Sequence, residues 1–520
     1  MKMQHKMKVK RLIPICLWAG ILVICFTGCK DLLDEEMYSS QSVDNFYKNK
    51  QEATLALSGV YNTLWSDTYR DAQWTTLEDV VGGTLKGGGD PNGSGDRSAA
   101  KTVWNTYGWS SDAHEVSDIW DVAYDGINNA NTLIDGVVKS TMTDEDKKWI
   151  DGQAKFLRAL FYFNLVRLFG DVPLELSATV GLTDIDKPRS PSADVYAQII
   201  SDLTDAEQEL SPYNDADHTA GRATSAAATA LLAKVYAQQQ DWTNAAKKAK
   251  EVMDLKVFSL VKDYHAVFSP DNTNNDEMIF TIQHGGTGNT NNGLFSTRMI
   301  YLFGPPQETL PNGTTILFHN LQDVVIFQVD KDFFNTSPDT YRKWQTMRDK
   351  MPYYFVGNNL VEDTVPLYAP FVIKFDYVDL SNAHLSGGVD FPLIRYSDVL
   401  LTYAEAINEV NGGPDQSAYD AVNMVRRRAR AVGTAYEQPE SVYPDISSLS
   451  QEAFRQAVLT EEAREFVGEG HRRDDLLRHN LLIENAKQRG ISNADAHHIV
   501  FPLPGTAVSV NENLEQNSGY

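Results

Sequence analysis

The chain has 520 residues, with 46 Lys and Arg against 70 Asp and Glu, for a formal net charge of −24. Such a surface repels phosphate backbones, and no basic block collects counterions, so nucleic acid is excluded as a partner. Hydrophobic residues at 42% and aromatics at 10% are ample for a packed core, which excludes a disordered acidic chain.

In chain order, the first signal is an export leader. Lys2, Lys6, Lys8, Lys10 and Arg11 precede an apolar run from Leu12 to Thr27, then Gly28 and Cys29. Basic, apolar, then small is the order of a secretory signal, and the run is too short for a comfortable membrane span. The ending Phe26-Thr27-Gly28-Cys29 resembles a lipoprotein box, with residues 1–28 removed and Cys29 acylated. The leader takes five basic residues and no acid, so the mature charge is about −29. Cys16 and Cys25 leave with it, and the body is expected to hold without a disulfide. Residues 29–45 read as an acidic lipidated tether and 46–520 as one domain. That domain comprises a helical scaffold at 46–255 and 391–490 and a loop-rich insert at 256–390.

Helical spacing starts near Val43 and closes at Trp65. From Gly82 to Gly95 the chain is Gly-rich and reads as a long loop; no Gly-Lys-Ser/Thr ending makes it a phosphate loop. Ile119–Ile134 places Trp120, Ala123, Ile127, Ala130 and Leu133 on one helix face. Thr143 with Asp146 caps the next helix, which stops at Gly170. Ser190, Pro191 or Ser192 opens a helix over about 196–210. A helix pair covers 223–240 and 242–254. The stretch 256–390 is expected to be irregular, with short strands at Met278–Ile282, Val324–Val329 and Phe371–Phe375. Helices resume at Tyr396–Val410, Gln416–Ala431 and Leu449–Glu469, with a last one over about Asp474–Arg489. Asp495–Tyr520 reads as an extended finishing strand and loop.

The 223–254 pair has the pattern of a tetratricopeptide unit, with Leu232, Ala233, Tyr236 and Ala245 at the expected large and small positions. Tyr403, Ala404, Ile407 and Ala418 repeat it, and Ala159 and Tyr162 repeat part of it. The predicted fold class is therefore mainly α: stacked tetratricopeptide-like helix pairs with a loop-rich ligand-binding side carrying short strands.

Longer strings on these helices resemble the SusD/RagB family of Bacteroidetes surface lipoproteins. They are Ala154–Leu174, with Arg158-Ala159-Leu160-Phe161-Tyr162 and Phe169-Gly170-Asp171-Val172-Pro173; Gly221-Arg222-Ala223-Thr224; and Phe391-Pro392-Leu393-Ile394-Arg395-Tyr396-Ser397-Asp398 running into Tyr403-Ala404-Glu405-Ala406. Glu469-Gly470-His471-Arg472 and Phe501-Pro502-Leu503-Pro504 through Tyr520 complete the match, with Ser518 where proline is usual. Physically these strings read as scaffold, Arg395 and Asp398 being spaced to pair along one helix face. The resemblance implies a lipid-anchored outer-membrane protein that captures glycan and passes it to a TonB-dependent outer-membrane transporter. Peptide capture and glycoside hydrolysis are the alternatives.

No catalytic residue, cofactor or metal is expected. No carboxylate pair stands out for glycoside hydrolysis. His471, flanked by Arg and acids, reads as an ion-pair hub, and His497-His498 lack ligand partners. No Gly-x-Ser-x-Gly occurs in the mature chain.

Sugars present flat C–H faces ringed by hydroxyls and call for exposed aromatics flanked by amides and charges. Two segments have that composition. One, 74–112, carries Trp74, Asp79, Arg97, Trp104, Asn105, Tyr107 and Trp109. The other, 284–355, carries Asn289, Asn291, Asn292, Tyr301, Phe303, Trp344, Tyr353 and Tyr354. Three aromatics at 104, 107 and 109 do not easily all face inward, so Trp104 and Trp109 rank ahead of Trp74, and all three ahead of Trp344.

Overall fold

A computed structural model describes residues 47–66, 73–88, 102–179, 181, 186–212, 220–284, 308–310, 312–318, 327–357, 359–375, 378–379, 384–385 and 389–520. The leader, Cys29 and the tether lie outside the described residues. Residues 48–520 form one compact unit.

Helices dominate. Those of seven or more residues are α1 (Lys50–Asn62), α2 (His114–Lys139), α3 (Asp144–Phe169), α4 (Ser192–Glu209), α5 (Ser225–Gln238), α6 (Trp242–Leu255), α7 (Tyr396–Asn411), α8 (Gln416–Ala429), α9 (Gln451–Glu465), α10 (Arg472–Arg478) and α11 (Leu482–Gln488). From α2 to α8 each helix packs on the next, α1 lies against α2 and α3, and α9 packs on α7. This is the stacked-pair architecture the sequence predicts.

The ends form where capping chemistry places them. The Thr143 side chain accepts from the Asp146 N–H at 3.2 Å, and Gly170 ends α3 at φ 75°. Thr224 caps α5, and Asp241 caps α6 after a tight reversal with Gln240 at φ 58°. Small residues set the crossings. Ala237, Ala245, Ala246 and Ala406 form one buried cluster beneath Tyr236, Trp242 and Ile407, so α5, α6 and α7 approach closely. Gly126 in α2 faces the Phe161 ring of α3, where an added Cβ would fall 2.4 Å from Cε2.

The strands are short and paired in twos; three of the pairs are built from β1 (Leu85–Gly87), β2 (Met278–Ile282), β3 (Phe327–Val329), β4 (Met347–Met351), β5 (Val365–Val372) and β6 (Phe391–Arg395). β1 pairs with β3, β2 with β6 and β4 with β5, all antiparallel.

Several expectations are corrected. The tail forms a 3₁₀ turn at Ala496–Ile499 and a helix at Gly505–Val510 instead of a strand. The final helix is broken at Asn480 (φ 58°) into α10 and α11. The Gly-rich stretch opens with ordered structure, since a π-turn at Thr76–Val80 leads into β1. The third predicted strand sits earlier, at Val365–Val372, and helical turns at Lys331–Thr336 and Tyr341–Thr346 interrupt the region read as irregular.

Candidate functional site

The signature residues build an interior. Arg395, at the end of β6, is fully buried and reaches Glu277 at 2.5 Å, Glu465 at 2.9 Å and Glu469 at 2.8 Å. Arg428 reaches Glu277 at 2.8 Å, Arg342 reaches Glu461 and Glu465 at 2.7 and 2.9 Å, and Lys374 reaches Glu469 at 2.7 Å. The network ties α8 and α9 to the strands. It also corrects the expected Arg395–Asp398 ion pair: only the Arg395 backbone N–H meets the Asp398 carboxylate, at 2.9 Å. That carboxylate faces Lys234 at 2.6 Å and His471 Nδ1 at 3.3 Å.

Burial first, and then the Lys234 charge, push His471 well below the usual histidine range, and its ring stacks on Phe466 at 4.5 Å. The hub is therefore an imidazole set among ion pairs, with burial favouring its neutral form. Beside it lies a cavity of about 70 Å³ whose lining includes Lys234, Asp398, His471, Asp474 and Trp74.

Two nearby carboxylates with raised pKa, Asp79 and Glu78, do not line this cavity. Burial lifts Asp79 to about 7, yet its oxygens accept from the Gly470 N–H at 2.8 Å and the Thr84 hydroxyl at 3.1 Å. Glu78 is raised by burial and by Asp474 and is equally enclosed.

The aromatic residues singled out in 74–112 are core. Trp104 is 0% exposed and Trp109 6%, and Tyr107 and Trp74 are also buried. Trp104 stacks on Trp109 at 5.2 Å, and both pack on Phe501; Tyr107 and Trp109 meet His498 edge-on. The Trp109 indole N–H donates to the Tyr520 hydroxyl at 3.0 Å, and that of Trp74 to the Gly470 carbonyl at 3.2 Å. The platform expectation for these residues, and a ligand contact for Asp79, are therefore corrected. The 3₁₀ turn Thr102–Thr106 and a left-handed Tyr107 (φ 56°) reverse the chain so that all three rings face inward. Late residues of the chain supply the wall they pack on.

Asn105 serves the loop base: its amide accepts from the Gly87 N–H at 2.9 Å and donates to the Gly87 carbonyl at 2.6 Å. Trp344 is half-buried beneath Lys350, whose Nζ lies 5.2 Å from its ring. Arg97, Tyr301, Asn289, Asn291, Asn292 and Phe303 lie outside the described residues.

The two segments expected to carry ligand nevertheless meet. β1 belongs to one and β3 to the other, with Gly87 opposite Phe327, so both connect to the same strand end. On this ledge Lys86 pairs with Asp330 at 3.0 Å, and Gln328 donates to the Tyr368 hydroxyl at 3.4 Å. Tyr368 is 41% exposed and leans edge-on against Phe371. An exposed ring beside an amide, with the exposed Lys86 ammonium held on the paired strand by the buried Asp330, is chemistry that suits a sugar. Sequence reasoning missed Tyr368, although it sits at an outward position of a strand whose first half alternates in burial.

Comparison with known proteins bears on this arrangement. A family profile described as "SusD family" matches residues 358–520, and one described as "Starch-binding associating with outer membrane" matches 88–237. SusD-like protein P25 of Formosa agariphila is 26% identical, with 99% of this chain and 100% of that one aligned. The starch-binding protein SusD of Bacteroides thetaiotaomicron is 25% identical over 73% of this chain and 74% of its own. A laminarin-binding SusD-like protein of known structure superposes with a TM-score of 0.71 at 23% identity, covering 91% of this chain and 100% of its own. Among the described residues no helix is long and apolar enough to cross a membrane. The signature strings, the helical stack and these matches agree: the chain is similar to the SusD/RagB family, whose models match its residues 88–237 and 358–520.

Proposed function

We propose that this protein is a cell-surface glycan-binding lipoprotein, anchored in the outer membrane through Cys29. It captures oligo- or polysaccharide without cleaving it and hands it to a TonB-dependent outer-membrane transporter. The observation that carries the reading is the Tyr368 ledge, where an exposed ring, the Gln328 amide and the Lys86–Asp330 pair stand together at the joined bases of both candidate segments. The starch-binding and laminarin-binding relatives make neutral glucans the first ligands to try.

A sugar covers only part of a tyrosine ring, so stacking is worth ~1–2 kcal/mol against the ~1.5–3 of a fully buried apolar side chain. Tyr368→Ala should therefore weaken binding of malto- or laminari-oligosaccharides ~5- to 30-fold by calorimetry. The melting temperature should stay within about a degree, since the ring is already partly solvated. Unchanged affinity would remove the ledge from the site. Incubation with the same glycans should release no new reducing ends. The transporter step is tested by co-purification: a β-barrel of the outer membrane should accompany the tagged protein in mild detergent.

A further inference from the structure

A second aromatic feature lies in the turn that follows α8. Tyr436 is 58% exposed, and its ring stacks on Tyr341 with centroids 5.1 Å apart and planes within 10°. A single exposed tyrosine is ordinary on any surface. This one is held in place from several sides. Its turn carries left-handed Ala431 (φ 57°) and Gly433 (φ 80°), and the Gln438 N–H closes it on the Arg430 carbonyl at 2.9 Å. The Gln438 side chain accepts from the Tyr341 N–H at 2.6 Å and donates to the Asp339 carbonyl at 3.2 Å. The Tyr341 hydroxyl donates to Asp263 at 2.7 Å. Tyr436 thus rests one face on a fixed ring and turns the other to solvent, so a ligand meets a platform whose ordering cost is already met.

The surroundings indicate the ligand class. The Asp263 and Glu437 carboxylates in the segments that frame the pair accept from the Tyr341 hydroxyl and the Gly433 N–H through one oxygen each, on a chain of formal charge −24. Carboxylates accept hydrogen bonds from sugar hydroxyls and repel uronate or sulfate groups.

We propose that the Tyr341–Tyr436 pair is a second carbohydrate platform, which takes one ring of a long neutral glycan whose other end lies on the Tyr368 ledge. This rests on the glycan-binding reading above. Once one part of a polymer is held, stacking at the second point is intramolecular, so the second site raises avidity for polymers and leaves short oligomers untouched.

The test uses the mature protein with amylopectin and laminarin as polymers and short malto- and laminari-oligosaccharides as single-site probes. Tyr436→Ala should weaken polymer binding ~5- to 30-fold, leave short-oligomer affinity at the parent value and keep the melting temperature. Tyr436→Phe should bind polymer like the parent. Tyr368→Ala should retain residual polymer binding that the Tyr368→Ala/Tyr436→Ala pair loses. Parent-like polymer binding by Tyr436→Ala overturns the second platform alone. So does a loss that only tracks a lowered melting temperature, which marks the pair as a loop fastener. A parent protein that binds neither polymer overturns both this inference and the neutral-glucan reading it rests on.

Discussion

Replacing Trp104 by alanine separates core from platform. Trp104 has no exposed surface, stacks on Trp109 and meets Phe501 edge-on at 5.8 Å. Truncating a fully buried tryptophan costs ~3–5 kcal/mol, from lost transfer energy and the cavity left behind. In a unit of roughly 470 residues the unfolding entropy is ~1 kcal/mol/K, at about 2.1 cal/mol/K per residue. The midpoint should therefore fall by only about 3–5 °C, which calorimetry resolves and a coarse melt does not. Oligosaccharide affinity measured well below the transition should match the parent. An unchanged midpoint with lost binding would refute the burial argument and restore Trp104 as a ligand platform.

Arg395→Met should lower the urea midpoint by the equivalent of ~3–5 kcal/mol, because Glu277, Glu465 and Glu469 lose a shared buried counter-charge; a shift under 1 kcal/mol would contradict this. Burial alone would raise Glu405, but Arg478 and His479 outweigh it and bring it from 4.5 to about 2. The stability this gives is present above pH 4.5 and lost as the pH falls toward 2, so an acid titration followed by circular dichroism should unfold the protein in that window. Asp79 has the opposite sign: burial raises it from 3.8 to about 7, so its ionisation costs stability as the pH climbs through that range. Asp79→Asn should accordingly gain relative to the parent between pH 5 and pH 8, and an equal offset at both would refute the assignment. Cys29→Ala should leave the fold intact and move the protein out of the membrane fraction; equal fractionation with the parent would refute the anchor.

The scaffold was legible because its signals are local. Helical spacing, Thr143 and Thr224 as caps, Gly170 as a stop and the alanines at the crossings each act within a turn or two of their own position. The site was less legible because its determinants are distant in sequence. Whether Trp104, Tyr107 and Trp109 face in or out depends on His498 and Phe501, almost 400 residues later. Arg395 chooses Glu465 and Glu469 over the nearby Asp398 because the backbone cap already occupies that carboxylate. Tyr368 escaped because one exposed ring in a strand carries no composition signal, and the residue lies just past the aromatic-rich window.

The bonds from Trp74 to Gly470 and from Trp109 to Tyr520 span 396 and 411 residues. A chain made and threaded from its N-terminus therefore carries its early tryptophans long before their acceptors exist. Closing such loops must precede any gain from the contacts, so the ring cluster forms late. On the export reading proposed above, that delay leaves the early segment with nothing to lock against while the chain is threaded. It also makes Tyr520 a sensitive position: a change that displaced its hydroxyl would unfasten Trp109, 411 residues earlier.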